Sequence, residues 1–445
     1  MKMAKWSMVL ISSMMLASAL SACGNGNNET SSSSTNETSG TNASATEPAA
    51  AEEAVTLKFW SALDPSSDQG KTIQQKVKEF DDSHDKINID LQVISYDVLH
   101  DKLVAAINAG DAPDISWGLG EWFGEFNKLD ALADLTDAFN AWPEKDKIYP
   151  NVLEAMQVDG KLKALPNYLG IRALLYHEEL LKQGGLTEPP KTWDELLNAA
   201  QSFKEKTGKE IFGIAGAGVR SPQELIMYLA QNDVVLAEKQ ADGKFKNTWL
   251  DNPDQLAKAA EVFRFYQDLV AKNAVKADAR TWGWEEEDQN FVLGQYAMVV
   301  NGTWIEGRAS ENPEGMKDVK IAQPIYGGKP ATFMEIAPLF IYKSKHPEET
   351  FELATFLMGA DYQKAVNPSS APRTDVVSEG WGKQFMALAE QGIAYPAVSL
   401  GGITKAMEDS LALALLKKEK PEDVATQLSD AINDSLKKNG ELSGS

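Results

Sequence analysis

Cysteine is nearly missing from this chain of 445 residues, and Cys23 is the one it has. No internal disulfide can form and no cysteine-based zinc site can be built, so the fold stands on its apolar core. Histidine is almost as scarce: His84, His100, His177 and His346 are scattered without ligand spacing. No Asp-x-Asp-x-Asp-Gly calcium loop occurs, and GIAGAGVR lacks the lysine and the spacing of a phosphate loop. No metal and no cofactor is therefore expected. Positive charge is short as well, with 43 Lys and Arg against 65 Asp and Glu and a formal charge of −22. So acidic a surface repels nucleic acid and anionic lipid headgroups, which excludes both as partners. Long apolar runs are absent too. Trp6 to Leu20, behind Lys2 and Lys5, is too short for a comfortable membrane span and reads as a secretion signal.

Cys23 sits directly after Leu20-Ser21-Ala22 and before Gly24, a placement that resembles the lipobox of bacterial lipoproteins. The signal, 1–22, would be cut before Cys23, and a lipid such as palmitate attached there would anchor the chain to the outer face of the cell membrane. Cleavage removes Lys2 and Lys5 and no acid, taking the charge from −22 to −24. Residues 23–54 are rich in Asn, Ser, Thr, Gly and Glu and carry no aromatic residue. Such a segment buries too little apolar surface to offset its ordering entropy and is expected to be a flexible tether, about 30 Å from end to end.

The roughly 390 residues from Val55 onward are too many for one ordinary core and predict two globular lobes. VTLKFW (55 to 60) reads as a strand, KTIQQKVKEF as a helix, INIDLQVI (87 to 94) as a strand and Leu99, Leu103 and Ile107 as the stripe of a helix that ends at Gly110. A short strand follows at Asp114 to Trp117, with a helix from about Glu121. This alternation is that of a parallel α/β sheet. Asp159-Gly160 marks a hairpin turn, and Thr192 with Glu195 a capping box that opens a helix ending at Gly208. LAKAAEVFRFYQDLVAKN, FELATFLM and Ile403 to Leu436 are expected to be helical. In open parallel sheets ligands lie beyond the carboxyl ends of the strands. Two turns rich in tryptophan and acid fall there: Trp60-Ser61-Ala62-Leu63-Asp64 and PDISWGLGEWFGEF, Pro113 to Phe126.

NAGDAPDI, LADLT, DGKLKALP, LLYHEELL with PPKTWDEL, FVLGQYAMVVNGTW and APRTDV fall in the order, and at roughly the spacings, of the extracellular solute-binding proteins of ABC importers. The chain resembles the branch of that family that includes maltose-binding protein, from about Val55 to the last helix. The resemblance implies an α/β, two-lobed clamshell of the type II periplasmic-binding-protein fold with three interlobe crossings, near Leu165 to Tyr168, Ile336 to Leu339 and Ile393 to Ala397. Lobe one is then 55–166 plus 338–394, and lobe two 167–337 plus 395–440. It further implies a monomer that binds a sugar or oligosaccharide between its lobes and, by hinge closure, delivers it to separate ABC permease subunits.

A neutral sugar presents CH groups on its faces and hydroxyls at its rim, so it calls for aromatic platforms edged by carboxylates and amides. Trp117 and Trp304 match the family's stacking tryptophans, one in each lobe, and Glu121 a neighbouring acidic position. Trp122 is divided between stacking and covering the helix beside it. Asp64 resembles an acidic contact, Tyr168 offers a hydroxyl at the first crossing, and Trp282 or Trp284 is placed to face the cleft. Trp60 reads more as core than as ligand contact. The run EEED after Trp284 reads as the solvated start of a helix. Arg172, Arg220 and Arg373 read as solvated or salt-bridged, and Arg373 is kept as a candidate contact because a uronic-acid sugar would need one. The aromatic that maltose-binding proteins carry near Leu400-Gly401-Gly402 has no counterpart here, which counts against a linear maltodextrin. Trp142, Trp193, Trp249 and Trp381 are read as structural.

Tryptophan with carboxylates also describes a glycosidase cleft, so a surface-anchored glycoside hydrolase is the chief rival. It would need two carboxyls flanking a bond, and Glu121 and Asp64 would come from one wall. A carbohydrate-binding lipoprotein with no part in transport is the second rival. The reading adopted is a binding protein and not an enzyme.

Overall fold

The computed structural model describes residues 54–444 apart from 64, 66, 377 and 378. The signal, the tether, Cys23 and Asp64 lie outside the described residues. The described chain is built on two larger sheets, of six and four strands, with two two-stranded ribbons beside them.

The first sheet follows from the alternation in the opening stretch. In strand Val55–Ser61, Leu57, Phe59 and Ser61 point inward, and Thr56 and Lys58 outward. It pairs in parallel with Ile87–Val93 on one side and Ile115–Trp117 on the other. Helix Asp68–Ser83 returns the chain over the sheet, opened by the Ser67 hydroxyl accepting from the Gly70 N–H. Helix Tyr96–Ala109 does the same and stops at Gly110, whose φ of 71° a side chain would resist. Beyond Ile115–Trp117 lies strand Thr332–Ile341, antiparallel to it. Leu165–Ile171 pairs antiparallel with that strand, and Gly392–Ile393 pairs with its first residues. The register slips between Ala337 and Pro338, where proline has no N–H to give the ladder.

The second sheet runs Val319–Ala322, Ala173–His177, Tyr296–Asn301, Glu210–Phe212. YAMVVN is buried at every position, which its near-continuous apolar run anticipates for a central strand. The chain leaves the first sheet at Ile171 and enters the second at Ala173, so Arg172 stands at the passage between them. Helices Pro253–Ala271 and Pro421–Lys438 pack on one another, and Gly401–Ala412 packs on Arg220–Gln231.

Local signals land where their chemistry requires. Asp159 (φ 51°) and Gly160 (φ 74°) turn a hairpin between Gln157–Val158 and Lys161–Leu162. Thr192 caps helix Trp193–Thr207 by accepting from the Glu195 N–H at 3.2 Å. Its partner bond differs from the expected box: the Glu195 carboxylate takes the N–H of Lys191, one residue earlier, at 2.7 Å. Among the described residues no helix is long and apolar enough to cross a membrane.

Candidate functional site

Arg172, at the passage between the sheets, is held by three acceptors. Its Nη1 donates to the Gly170 carbonyl at 3.0 Å, and its Nη2 donates to Gln223 Oε1 at 2.6 Å and to Glu335 Oε2 at 2.9 Å. Glu335 stands opposite Gly170 in the pairing of Thr332–Ile341 with Leu165–Ile171, which sets its carboxylate beside the arginine. Gln223 comes from the first turn of helix Arg220–Gln231, and its Nε2 donates to Glu121 Oε1 at 3.0 Å. An unbroken polar chain, Glu335 to Arg172 to Gln223 to Glu121, thus links helix Arg220–Gln231 to elements of the first sheet. Burial pushes the Glu121 carboxyl up to about 7; the nearby charge of Glu335 adds to this, while the Gln223 bond and Arg172 oppose it.

Trp304 follows strand Tyr296–Asn301 by way of Gly302. Its ring folds back over that glycine so closely that a Cβ there would stand 1.9 Å from the indole. The indole Nε1 donates to Asp288 Oδ2 at 3.2 Å. Asp288 is fully buried and also accepts from Asn301 Nδ2 at 2.7 Å and from the Arg220 guanidinium, with Arg308 Nε 3.6 Å away. Arg220 additionally grips Glu287 Oε2 at 2.6 Å. The Arg172 guanidinium lies 4.3 Å from the centre of the Trp304 ring and that of Arg220 5.1 Å, a cation–π arrangement with two partners. Beneath Arg220 a second carboxyl, Glu224, is driven well above its ordinary range by burial and by the charge of Glu287.

A cavity of about 540 Å³ opens over this assembly, lined by Arg172, Arg220, Gln223, Trp284, Trp304 and Glu335 together with Val219 and Glu285. It joins indole surface to charged hydrogen-bonding groups, the combination that fixes a small polar ligand. A larger cavity, about 730 Å³, is lined by Lys128, Lys239, Phe245, Met334, Tyr395 and Glu441 among others and contains no tryptophan. The 540 Å³ cavity is therefore the candidate site.

Of the residues singled out from the sequence, Trp284 and Trp304 are brought to the cavity, and Glu121 reaches it through Gln223. Tyr168 stands next to it: its hydroxyl bonds Thr303 and Ser370, and burial with the charge of Glu335 raises its pKa. Trp117 and Trp122 lie on the segment that carries Glu121, edge to face at 6.2 Å, outside the cavity lining. Trp122 covers its own helix, 6.2 Å from Phe126 and 5.2 Å from His100. Trp60 pairs within the first sheet, with its Nε1 buried and no hydrogen-bond partner among the described residues. Trp282 is buried against Tyr296 and is not brought to the cavity. Arg373 is also elsewhere, 1% exposed and held by Asp375, Glu144 and the Met358 carbonyl.

The acidic run after Trp284 needs correcting. Glu285 and Glu286 are solvated, but helix Trp284–Val292 turns Glu287 and Asp288 inward to full burial, where Arg220 supplies the counter-charge. Gln223 and Glu335 carried no signal in the sequence. One sits in SPQELIM and one in ATFMEIAP, where Glu335 is the one charged residue of a largely apolar strand and Gln223 is one of several polar residues opening a helix.

Residues 64–364 match the model of the bacterial extracellular solute-binding protein family, and the chain belongs to that family. An uncharacterised ABC transporter extracellular-binding protein of Pyrococcus horikoshii is 24% identical over 362 residues, 79% of this chain and 77% of that protein. Among solved structures, the sugar-binding protein MalE of Xanthomonas citri superposes with a TM-score of 0.74 at 20% identity, covering 87% of this chain and 98% of its own. The GacH receptor of Streptomyces glaucescens, determined unliganded and with acarbose, gives 0.73 at 23% identity over 87% and 99%. The fold is accordingly the two-lobed type II periplasmic-binding-protein clamshell.

Proposed function

We propose that this chain is the sugar receptor of an ABC importer, lipid-anchored through Cys23 on the outer face of the cell membrane. It binds a sugar or oligosaccharide in the Arg172–Trp304 cavity and passes it to the permease when the hinge closes. The observation that carries the reading is the cavity itself: indole surface from Trp304 and Trp284 set among Glu335, Gln223 and two guanidiniums. The aromatic faces meet the CH surface of a sugar ring, and the carboxylates and amide meet its hydroxyls. The names of the relatives support the same reading, one an ABC transporter binding protein and two receptors for sugars or a sugar analogue.

On this reading the lobes are 55–166 plus 338–394 and 167–337 plus 395–440, the protein works as a monomer, and closure is a rigid-body movement about the strands that pass between them. Trp117, which lies outside the cavity lining, on this reading meets the ligand only when the cleft closes. So read, the protein binds its ligand and does not turn it over, in keeping with the binding-protein family to which the chain belongs. A thermal-shift screen against mono- and oligosaccharides tests this, because a ligand of the folded state raises its melting temperature. Incubation with the hits, followed by product analysis, separates receptor from hydrolase. Cys23→Ala is expected to release the protein from the membrane fraction.

A further inference from the structure

Two arginines at a sugar cavity invite an acidic ligand, yet both are already engaged by carboxylates of the protein itself, and in Arg172 the filled Nη2 blocks its two-donor edges. Carboxylate recognition by arginine relies on two parallel N–H donors offered side by side. In Arg172 the Nη2 end is already filled by Gln223 and Glu335, and Nη1 donates to the Gly170 carbonyl. In Arg220 Nη1 is taken by Glu287 and Asp288. Both guanidinium groups lie over Trp304, and both side chains are more than nine-tenths buried.

The charge balance points the same way. Against Arg172 and Arg220 the lining sets Glu285 and Glu335, and fully buried Asp288 and Glu287 lie directly behind Arg220. A ligand carboxylate entering here would lose its hydration among groups that are already neutralised, beside a free-facing acid. Hydroxyl groups meet no such cost. Glu285 and Glu335 both line the cavity and are open to a ligand, but Glu335, with a fifth of its side chain accessible against 5% for Arg172, is the one bonded to that arginine.

Resting on the reading of the cavity as a sugar site, we propose that it is built for an uncharged sugar, and that Glu335, by occupying Arg172 and facing the cavity, is the residue that excludes uronic acids. The guanidiniums act as rigid, pre-neutralised backing for the indole, and Glu335 accepts ligand hydroxyls with the capacity that its bond to Arg172 leaves.

The test is titration calorimetry of the wild-type protein with matched pairs of sugars, each neutral mono- or disaccharide against its uronate. A neutral member that binds at least about thirtyfold more tightly than its uronate supports the inference. A uronate that binds as well or better overturns it while leaving the sugar-receptor reading intact. If no sugar of either kind binds the folded protein, the reading falls, and the inference with it. The second arm is Glu335→Gln, which removes the carboxylate charge beside Arg172 while keeping the side-chain shape. It is expected to narrow the neutral-to-uronate ratio about tenfold or more, and an unchanged ratio in the folded variant removes Glu335 from the role. Should that variant not fold, the wild-type pairs still decide the charge preference, and Glu335→Ala, which removes the same acid, takes its place with the same narrowing expected and an unchanged ratio again removing Glu335 from the role.

Discussion

The guanidinium of Arg172 lies 4.3 Å from the centre of the Trp304 ring, and these two side chains come from different parts of the architecture. Arg172 stands where the chain leaves one sheet for the other, and Trp304 follows the central strand of the second sheet. The indole plane is therefore fixed from three directions: by the guanidinium, by the Asp288 carboxylate at its Nε1, and by Gly302 beneath it. A platform held this way meets a ligand with little ordering left to do, which is where preorganised sites gain affinity.

Gly302 tests how tightly that platform is seated. Alanine there would put its Cβ 1.9 Å from the indole, so the ring must leave its place. Gly302→Ala is expected to weaken sugar binding about tenfold or more, about 1.4 kcal/mol, with the far-ultraviolet circular dichroism unchanged. Wild-type affinity in this variant would show that the ring is not held by its contact with the glycine.

Asp288 holds the second-sheet side of the site together. Removing it leaves Arg220 with a weaker counter-charge and strips the bonds from Trp304 Nε1 and Asn301. Asp288→Ala is expected to cost about 3–5 kcal/mol of stability, the range for breaking a buried ion pair from one side. Urea unfolding followed by tryptophan fluorescence measures it. A loss below about 1 kcal/mol would mean the surrounding groups re-pair without it.

Glu121 gives the protein a pH dependence of defined sign. Its carboxyl rises from an ordinary 4.5 to about 7 in the folded chain, through burial first and the charge of Glu335 next. The folded state thus holds a proton that the unfolded chain releases between those values. The contribution to stability is complete below about pH 4.5 and is lost as pH rises through about 7. Melting temperatures recorded from pH 5 to 8 should fall more steeply in wild type than in Glu121→Gln. Parallel slopes would contradict the burial of that carboxyl.

Much of this was legible in the chain before its structure. The alternation of VTLKFW, the stop at Gly110, the Asp159-Gly160 turn and the Thr192 cap are local signals, settled within a few residues, and they fold as their chemistry dictates. Trp304 was legible from the segment around it. Glu335 and Gln223 were not, because their meaning depends on Arg172, 163 and 51 residues away in sequence. For the same reason EEED looked like a solvated helix start: nothing within it foretells that Arg220 waits beneath Glu287 and Asp288.

Arg373 separates a structural arginine from one at the site. It is buried between Asp375 and Glu144, with its guanidinium 5.8 Å from the Trp142 ring and no part in the cavity lining. Arg373→Ala is expected to cost about 1.5–3 kcal/mol of stability, the scale of charged hydrogen bonds lost from one side. Its affinity for sugar should match wild type in calorimetry at a temperature where both are folded. A selective loss of affinity would return Arg373 to the site.

The most direct test is calorimetric titration of wild type and Trp304→Ala with a sugar that raises the melting temperature of the wild-type protein. One sugar site per chain is predicted, with the affinity reduced at least tenfold in the folded variant. An unchanged titration in Trp304→Ala would contradict the account, because the ligand would then be held somewhere other than against this ring.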